Sequence, residues 1–255
     1  MKHKLLLFIV LTLVFVFCSS LIAFASESVE YEAAYELVSE VGFPVDKMDI
    51  ETLMAIYSDI KDADKVVTET TTEYLTVTSD GKIIQRGNIS SSDLTLSITA
   101  GKNVVNEQIV GVTVFVWYEW ANYKPIILMT DAISVNWPDV LTFEAGSFTA
   151  KHYSSVGTLK QSLTNPSKSN QEGLGWYITL SFSEDGSGPG SYGNGHFTLS
   201  PADPMEDGQD HAGTVNVEYG HRRLAGSLTL STSGPGVTII NANDTAAASY
   251  TFRYN

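Results

Sequence analysis

The stretch Ile109–Trp120 reads IVGVTVFVWYEW, and nearly every position as far as Val116 is apolar. A strand with one face in water alternates apolar and polar side chains, whereas a strand covered on both faces reads as a continuous apolar run. The sequence therefore predicts a central strand here, with other parts of the protein packed against each of its faces.

Segments with a period of two lie on both sides of this strand, and that period is typical of strands with one wet face. The clearest of them are Leu94–Ile98, Trp176–Phe182, Phe197–Leu199, Val215–Tyr219, Leu228–Leu230 and Tyr250–Tyr254. Turn-forming residues separate them, and Ser79-Asp80-Gly81 is a strong hairpin motif because Asp and Gly tolerate a positive φ. About ten short strands joined in this way predict an antiparallel β-sandwich, with a jelly roll or a barrel as the alternative.

This β domain is expected to span residues 67–255. Residues 157–173 are polar and rich in Ser, Asn and Gln, so we interpret them as a loop that could mark a weak boundary between two β halves. The core is expected to include six side chains from two facing strands. They are Val112, Val114, Val116, Trp176, Ile178 and Leu180.

Residues 26–66 are predicted to form a helical hairpin, because apolar residues recur there at spacings of three and four. Gly42-Phe43-Pro44 should end the first helix, and Asp49 is suited to cap the second. The predicted apolar faces consist of Tyr31, Tyr35, Leu37 or Val41, and Val38 on the first helix, and of Ile50, Leu53, Met54, Tyr57 and Ile60 on the second. Such a hairpin packs on the β body, associates with itself, or binds a partner.

Residues 1–25 have the layout of a secretory signal peptide: Lys2 and Lys4, an apolar run from Leu5 to Phe17, and the small-residue exit Ala23-Phe24-Ala25. We therefore predict a protein that is secreted or associated with the cell surface. The alternatives are a leader that remains as a membrane anchor and a lipoprotein modified at Cys18. The two phenylalanines just before Cys18 argue against lipidation.

Removal of this leader leaves an acidic chain without cysteine. Lys2 and Lys4 leave with it, so 13 of the 15 basic residues remain against all 29 acidic ones, a balance of −16. Such a charge opposes binding to nucleic acid, whose phosphates attract basic surfaces. The mature sequence has no second apolar run long enough to span a membrane.

Catalytic motifs are absent from the sequence. No G-x-S-x-G elbow occurs, and the four mature histidines, His152, His196, His211 and His221, lack the close spacing of a zinc site. A hydrolase remains the alternative, because glycoside hydrolysis needs only two carboxylates about 5–10 Å apart. The acidic residues considered for such a pair are Glu119, Asp131, Asp139 and Glu144.

Four carboxylates occur within eight residues at Asp203, Glu206, Asp207 and Asp210, beside a glycine that can turn the chain. Calcium prefers six to eight oxygen ligands, so this segment is the candidate metal site. The spacing is not that of an EF-hand, and the plain interpretation is a solvated acidic turn. We expect no cofactor, with calcium at this turn as the alternative.

The aromatic cluster around Trp117-Tyr118-Glu119-Trp120 is the least ordinary feature of the chain. Along a strand, Trp117 faces one way while Tyr118 and Trp120 face the other. These rings either fill the core or form an exposed platform for a sugar ring or a protein surface. The candidate exposed residues are Trp120 and Tyr123, together with Trp137.

These observations favour a secreted, non-enzymatic binding or interaction protein whose partner is an extracellular carbohydrate or protein. The alternatives are a secreted hydrolase on the same scaffold that uses carboxylates or a metal, and a structural component of the cell surface or matrix.

Cleavage after Ala25 should give a mature chain that begins at Ser26. N-terminal sequencing of protein recovered from the culture medium tests this expectation. Recovered material that still begins at Met1 would show that the leader is retained.

Overall fold

The computed structural model describes residues 29–77, 83–85, 94–120, 130–179, 191–221, 228–242 and 244–255. The predicted leader, the Ser79-Asp80-Gly81 turn, Tyr123 and Leu180 lie outside these ranges. The described chain is mostly antiparallel β structure preceded by two helices, which confirms the predicted fold class.

The helical part comes first in the chain. Helix α1 covers residues 29–40, a 3₁₀ turn covers Val45–Lys47, and helix α2 covers Ile50–Ile60. The strands are β1 (Lys65–Val77), β2 (Ile83–Gln85), β3 (Leu94–Val105), β4 (Gln108–Trp120), β5 (Thr130–Asn136), β6 (Leu141–Phe143), β7 (Thr149–Tyr153), β8 (Leu159–Leu163), β9 (Lys168–Asn170), β10 (Gly173–Thr179), β11 (Tyr192–Pro201), β12 (Met205–His221), β13 (Thr229–Ser231), β14 (Thr238–Ile240) and β15 (Asp244–Tyr254).

Thirteen of these strands form a curled sheet with two halves, β13 and β14 form a separate hairpin, and the described strand pairs are all antiparallel. The front half has the order β2-β1-β3-β4-β11-β7-β8, with β6 also paired to β11. The back half has the order β9-β10-β5-β12-β15. The halves join where Met205 at the start of β12 pairs with Ile109 of β4. The hairpin β13-β14 packs its buried residues Leu228, Leu230 and Val237 with Ala132 of the back half.

Strand β4 is buried on both faces, as its apolar sequence predicts. Its inner face carries Val112, Val114, Val116, Tyr118 and Trp120 into the main core, where they meet side chains from the back half. These side chains include Trp176 and Ile178, so every described member of the predicted core set is buried. The outer face carries Phe115 and Trp117, which belong to a second apolar cluster.

The helical hairpin completes this second cluster. Val38 of α1 and Leu53, Ile56 and Ile60 of α2 are buried with the outer face of β4. The predicted N-cap is confirmed, since the Asp49 carboxylate accepts a hydrogen bond of 2.8 Å from the Thr52 amide.

The predicted apolar faces of the helices are partly wrong. Ala34 and Ile56 are buried, whereas Tyr31, Tyr35 and Ile50 are exposed. On α1 the buried positions are the small Ala34 and, four residues later, Val38. The two tyrosines pack against each other instead, with ring centroids 6.4 Å apart.

The interpretation of residues 157–173 as a loop is also wrong in part, because β8 and β9 lie there. Strand β8 pairs with β7 in the front half, and β9 pairs with β10 in the back half, so this segment passes from one half to the other. Both are short edge strands with largely exposed side chains. A strand that buries neither face lacks the apolar alternation from which strands are predicted.

Ile178 lies on β10, which pairs on one side with β5, and its side chain is only 1% exposed. Truncation of Ile178 to Ala should lower the free energy of unfolding by about 2–5 kcal/mol, because it removes buried methyl groups and leaves a cavity. Urea unfolding measures this loss. The control, Ile50→Ala at a site that is 65% exposed, should change stability by less than about 0.5 kcal/mol. Equal effects of the two substitutions would contradict the placement of β10.

Candidate functional site

A groove of about 250 Å³ lies between the 3₁₀ turn and the outer face of the front half. Its walls come from three strands, β4, β7 and β11, and from the turn with the start of α2. The residues that line it are Asp46, Lys47, Met48, Asp49, Trp117, Glu119, Tyr153, Tyr192 and Asn194. We call this space the turn groove.

Strand pairing brings the aromatic wall of the turn groove together. Tyr192 of β11 lies opposite Glu119 of β4 on one side and opposite Tyr153 of β7 on the other. Residues directly opposite each other in an antiparallel pair have neighbouring side chains. The Tyr153 and Tyr192 rings stack nearly parallel, with centroids 5.1 Å apart.

The Asp49 carboxylate fixes one end of this wall. Besides capping α2, it accepts hydrogen bonds from the Lys151 ammonium (2.7 Å) and from the Tyr153 hydroxyl (2.6 Å). Burial alone would raise the pKa of Asp49, but the hydrogen bonds from Lys151, Tyr153 and Thr52 outweigh it and lower that pKa to about 2. Asp49 is therefore ionised at any physiological pH, and the Tyr153 ring is held in place by its hydroxyl.

Lys151 of β7 is buried beside the groove and is paired with two carboxylates. Its ammonium donates to Glu51 at 2.7 Å as well as to Asp49. Burial lowers the pKa of Lys151, but the two carboxylates more than compensate and raise it above its usual value. The positive charge of Lys151 is thus neutralised by the protein itself.

Lys47 is placed differently, because it lies at the rim of the groove. Its ammonium stands 4.5 Å from the centre of the Trp117 ring and 3.5 Å from the Asp46 carboxylate. The Lys47 side chain is 37% exposed. The Asn194 amide makes a long hydrogen bond of 3.4 Å to the Lys47 carbonyl and so links the turn to β11.

This arrangement is suited to binding one flat ring or one long side chain. Its volume is below the range of about 300–1,000 Å³ that is typical of sites for drug-sized ligands. Aromatic faces supply apolar contact area, while the carboxylates of Asp46, Asp49 and Glu119 supply negative charge and hydrogen-bond acceptors.

The prediction that Trp120 and Trp137 are exposed is wrong, since both side chains are at most 3% exposed. The Trp120 indole donates a hydrogen bond of 3.0 Å to the Tyr219 hydroxyl in the main core, and the Trp137 indole donates to the carbonyl of Gln171. The prediction that Trp117 and Trp120 lie on opposite faces of one strand is correct. The turn groove, however, lies on the face that carries Trp117. Tyr123 lies outside the described residues.

The acidic segment is not assembled as a ligand set in the described structure. Asp207 accepts from Lys102 and, at 3.1 Å, from Lys65, and these contacts lower its pKa. Asp203 lines a separate cavity of about 300 Å³ with Asp139 and Tyr254, whereas Glu206 and Asp210 are exposed on β12. Among the residues that the structure describes, no group of three or more His, Cys, Asp or Glu side chains is placed to hold a metal ion.

Three of the four histidines outside the predicted leader are buried, and each contacts a different partner. His152 Nδ1 lies 2.9 Å from the Tyr118 hydroxyl, and His196 Nε2 lies 2.9 Å from Asp59. His221 Nδ1 lies 3.1 Å from the Asp131 carboxylate.

Asp131 is completely buried and also accepts a hydrogen bond of 2.5 Å from the Tyr219 hydroxyl. It therefore belongs to a polar network inside the core and cannot meet a substrate.

Sequence reasoning missed most of the turn groove, in particular Lys47, Tyr153, Tyr192 and Asn194. These residues lie far apart in the chain and match no motif. The sequence did single out Trp117 in the aromatic cluster, Glu119 among the candidate carboxylates, and Asp49 as a helix cap. For Asp49 it indicated only the cap. Its second role depends on Lys151 and Tyr153, which only the pairing of the strands brings near.

No protein-family model and no curated protein matches the chain. Its fold is similar to those of several solved structures, and the following three illustrate their range. The collagen-binding domain from a Staphylococcus aureus adhesin shares 9% identity at a TM-score of 0.33, over 57% of this chain and 89% of that one. The KRT10-binding region domain of the pneumococcal protein PsrP shares 12% identity at a TM-score of 0.35, over 73% of this chain and 99% of that one. AvmM, which catalyses macrocyclization in alchivemycin A biosynthesis, shares 11% identity at a TM-score of 0.28, over 57% of this chain and 81% of that one.

Likeness at this level extends to an enzyme as well as to adhesins, and it is no guide to what this chain does.

Within the described residues, no helix is long and apolar enough to cross a membrane.

Replacement of Asp49 by Asn should lower stability at pH 7 by roughly 1–2 kcal/mol, because Asn still caps the helix but carries no charge for Lys151. The folded pKa of about 2 is below the ordinary value of 3.8, so this stabilisation is complete above pH 5 and is lost as the pH falls toward 2. Urea unfolding of the wild type and the variant from pH 7 to pH 3 should show the difference narrowing. A difference that is independent of pH would contradict a charged Asp49.

Proposed function

We propose that this protein is a secreted, non-enzymatic binding module and that the turn groove is its ligand site. The supporting observation is the stacked pair Tyr153–Tyr192 beside Trp117, with carboxylates at the same opening. All three rings stand on strands whose backbones are paired on both sides, so the aromatic wall of the site is formed before a ligand arrives. A rigid site loses little entropy on binding.

The proposed ligand is an extracellular carbohydrate or protein. Export follows from the predicted leader, and an acidic, soluble chain suits the outside of a cell. Aromatic faces bordered by hydrogen-bond acceptors serve both ligand classes. A purely structural role would not require an open groove lined by three aromatic rings.

The hydrolase alternative is less well supported by the geometry. A glycosidase needs one carboxylic acid that still holds its proton near neutral pH, and a second carboxylate across the scissile bond. Asp49 and Glu119 line the same groove, but Asp49 has a pKa of about 2 and cannot serve as that acid. As the second carboxylate it is occupied, because its oxygens already accept hydrogen bonds from Thr52, Lys151 and Tyr153. Asp131 is buried in the core, and Asp139 lines the other cavity.

Binding of the mature chain to arrays of glycans and of extracellular-matrix proteins tests this function. Replacement of Tyr192 by Ala should weaken binding of any ligand found by about tenfold or more, because truncation of a central aromatic contact commonly costs that much. Tyr35→Ala is the matched control, since Tyr35 is an exposed tyrosine on helix α1 and does not line the groove. It should leave binding unchanged.

Both variants should keep their far-UV circular dichroism spectra. A ligand that binds Tyr192→Ala as tightly as the wild type would contradict the assignment of the groove. Failure to bind any member of the arrays, or turnover of a glycan, would contradict the function itself.

A further inference from the structure

We propose that the turn groove binds the ammonium group of a lysine side chain on an extracellular protein, and that this lysine displaces the chain's own Lys47. The proposal rests on the binding function above and names the chemistry of its ligand. It depends on three features of the groove: its charge, the position of Lys47, and its size.

The charge of the groove is negative. The carboxylates of Asp46, Asp49 and Glu119 line it, and the neighbouring buried cation, Lys151, is already held by Asp49 and Glu51. The whole chain carries a net charge of −14, and removal of the predicted leader makes the mature chain more acidic still. A basic partner is therefore attracted over a distance as well as at contact.

Lys47 shows how an ammonium fits this site. It lies 4.5 Å from the centre of the Trp117 ring, within the distance of about 6 Å at which a cation is attracted to an aromatic face. Its only ion pair among the described residues is with Asp46, at 3.5 Å, a carboxylate that is 72% exposed. Such a contact is weak and readily exchanged.

The turn that carries Lys47 lies at the surface. None of the residues Val45–Lys47 is buried, and no side chain of the described residues caps the turn. Because the Lys47 side chain is 37% exposed, it can rotate away from the Trp117 ring while Val45 stays packed against the second apolar cluster. The space it shares with Tyr153 and Tyr192 measures about 250 Å³, which suits one extended side chain rather than a folded peptide.

The probes are the peptide acetyl-Gly-Lys-Gly-amide, the same peptide with acetyllysine, and n-butylamine. Each is titrated into ¹⁵N-labelled mature protein, and the shifts of the Trp117 indole and Asn194 amide signals are followed. The lysine peptide should give saturable shifts, and its affinity should fall as salt is added. Acetyllysine, which has no charge, should bind at least tenfold more weakly.

Two substitutions separate this proposal from others. Lys47→Ala should tighten binding of the lysine peptide about fivefold, because it removes the internal competitor. Glu119→Gln should weaken it about fivefold by removing one of the carboxylates. Lys168→Ala is the matched control, since Lys168 is an exposed lysine on β9 of the back half, and it should have no effect.

Weaker binding after Lys47→Ala would overturn the proposal, because Lys47 would then be a ligand contact and not a competitor. Equal binding of the acetyllysine peptide would overturn the role of charge. n-Butylamine has the same alkyl chain and ammonium as lysine and should compete with the lysine peptide, so a failure to compete would overturn the entry of the side chain into the groove. If none of the probes binds while an array ligand still depends on Tyr192, the binding function stands and only the lysine proposal fails.

Discussion

The burial of both faces of β4 is the constraint on which the rest of the structure depends. Its inner face makes the contact between the two halves of the sheet, so Phe115 and Trp117 must point outward on the far side. If these two aromatic side chains were left in water, the fold would lose roughly 1.5–3 kcal/mol of hydrophobic stabilisation for each. The helical hairpin provides their cover, and the turn groove lies where this cover reaches the 3₁₀ turn.

Polar contacts then fix where the hairpin lies on the sheet. At the start of α2, Asp49 and Glu51 receive the Lys151 ammonium, and toward its end Asp59 contacts His196 and accepts from Thr198. Buried polar groups are costly without partners, so each sheet residue favours one position of the helix. Apolar packing alone would permit α2 to slide along the sheet. The contacts of Lys151 at its start and of Asp59 near its end specify its position on the sheet.

The spacing of apolar residues predicts the helices and strands well, because buried positions recur with the period of the helix or strand. The doubly covered β4, the strand around Ile178 and the cap at Asp49 all follow from local sequence. The period of two also places Trp117 and Trp120 on opposite faces of β4, but it does not say which part of the protein covers each face. That depends on strand order, and strand order also brings Tyr153 and Tyr192 together. For this reason the platform predicted at Trp120 is in the core and the groove lies on the other face.

The turn groove combines a wall of paired strands with an edge formed by a short turn. Tyr153 is held by its hydrogen bond to Asp49 and by its stack on Tyr192, so the shape of the wall does not depend on the turn. The turn Val45–Lys47 lies at the surface, yet it directly connects the segments that lead to α1 and α2. A displacement of its backbone would therefore be transmitted to the helical hairpin. Asp49 belongs both to the groove and to the ion pair with Lys151 of β7, so this one carboxylate ties the edge of the groove to the sheet.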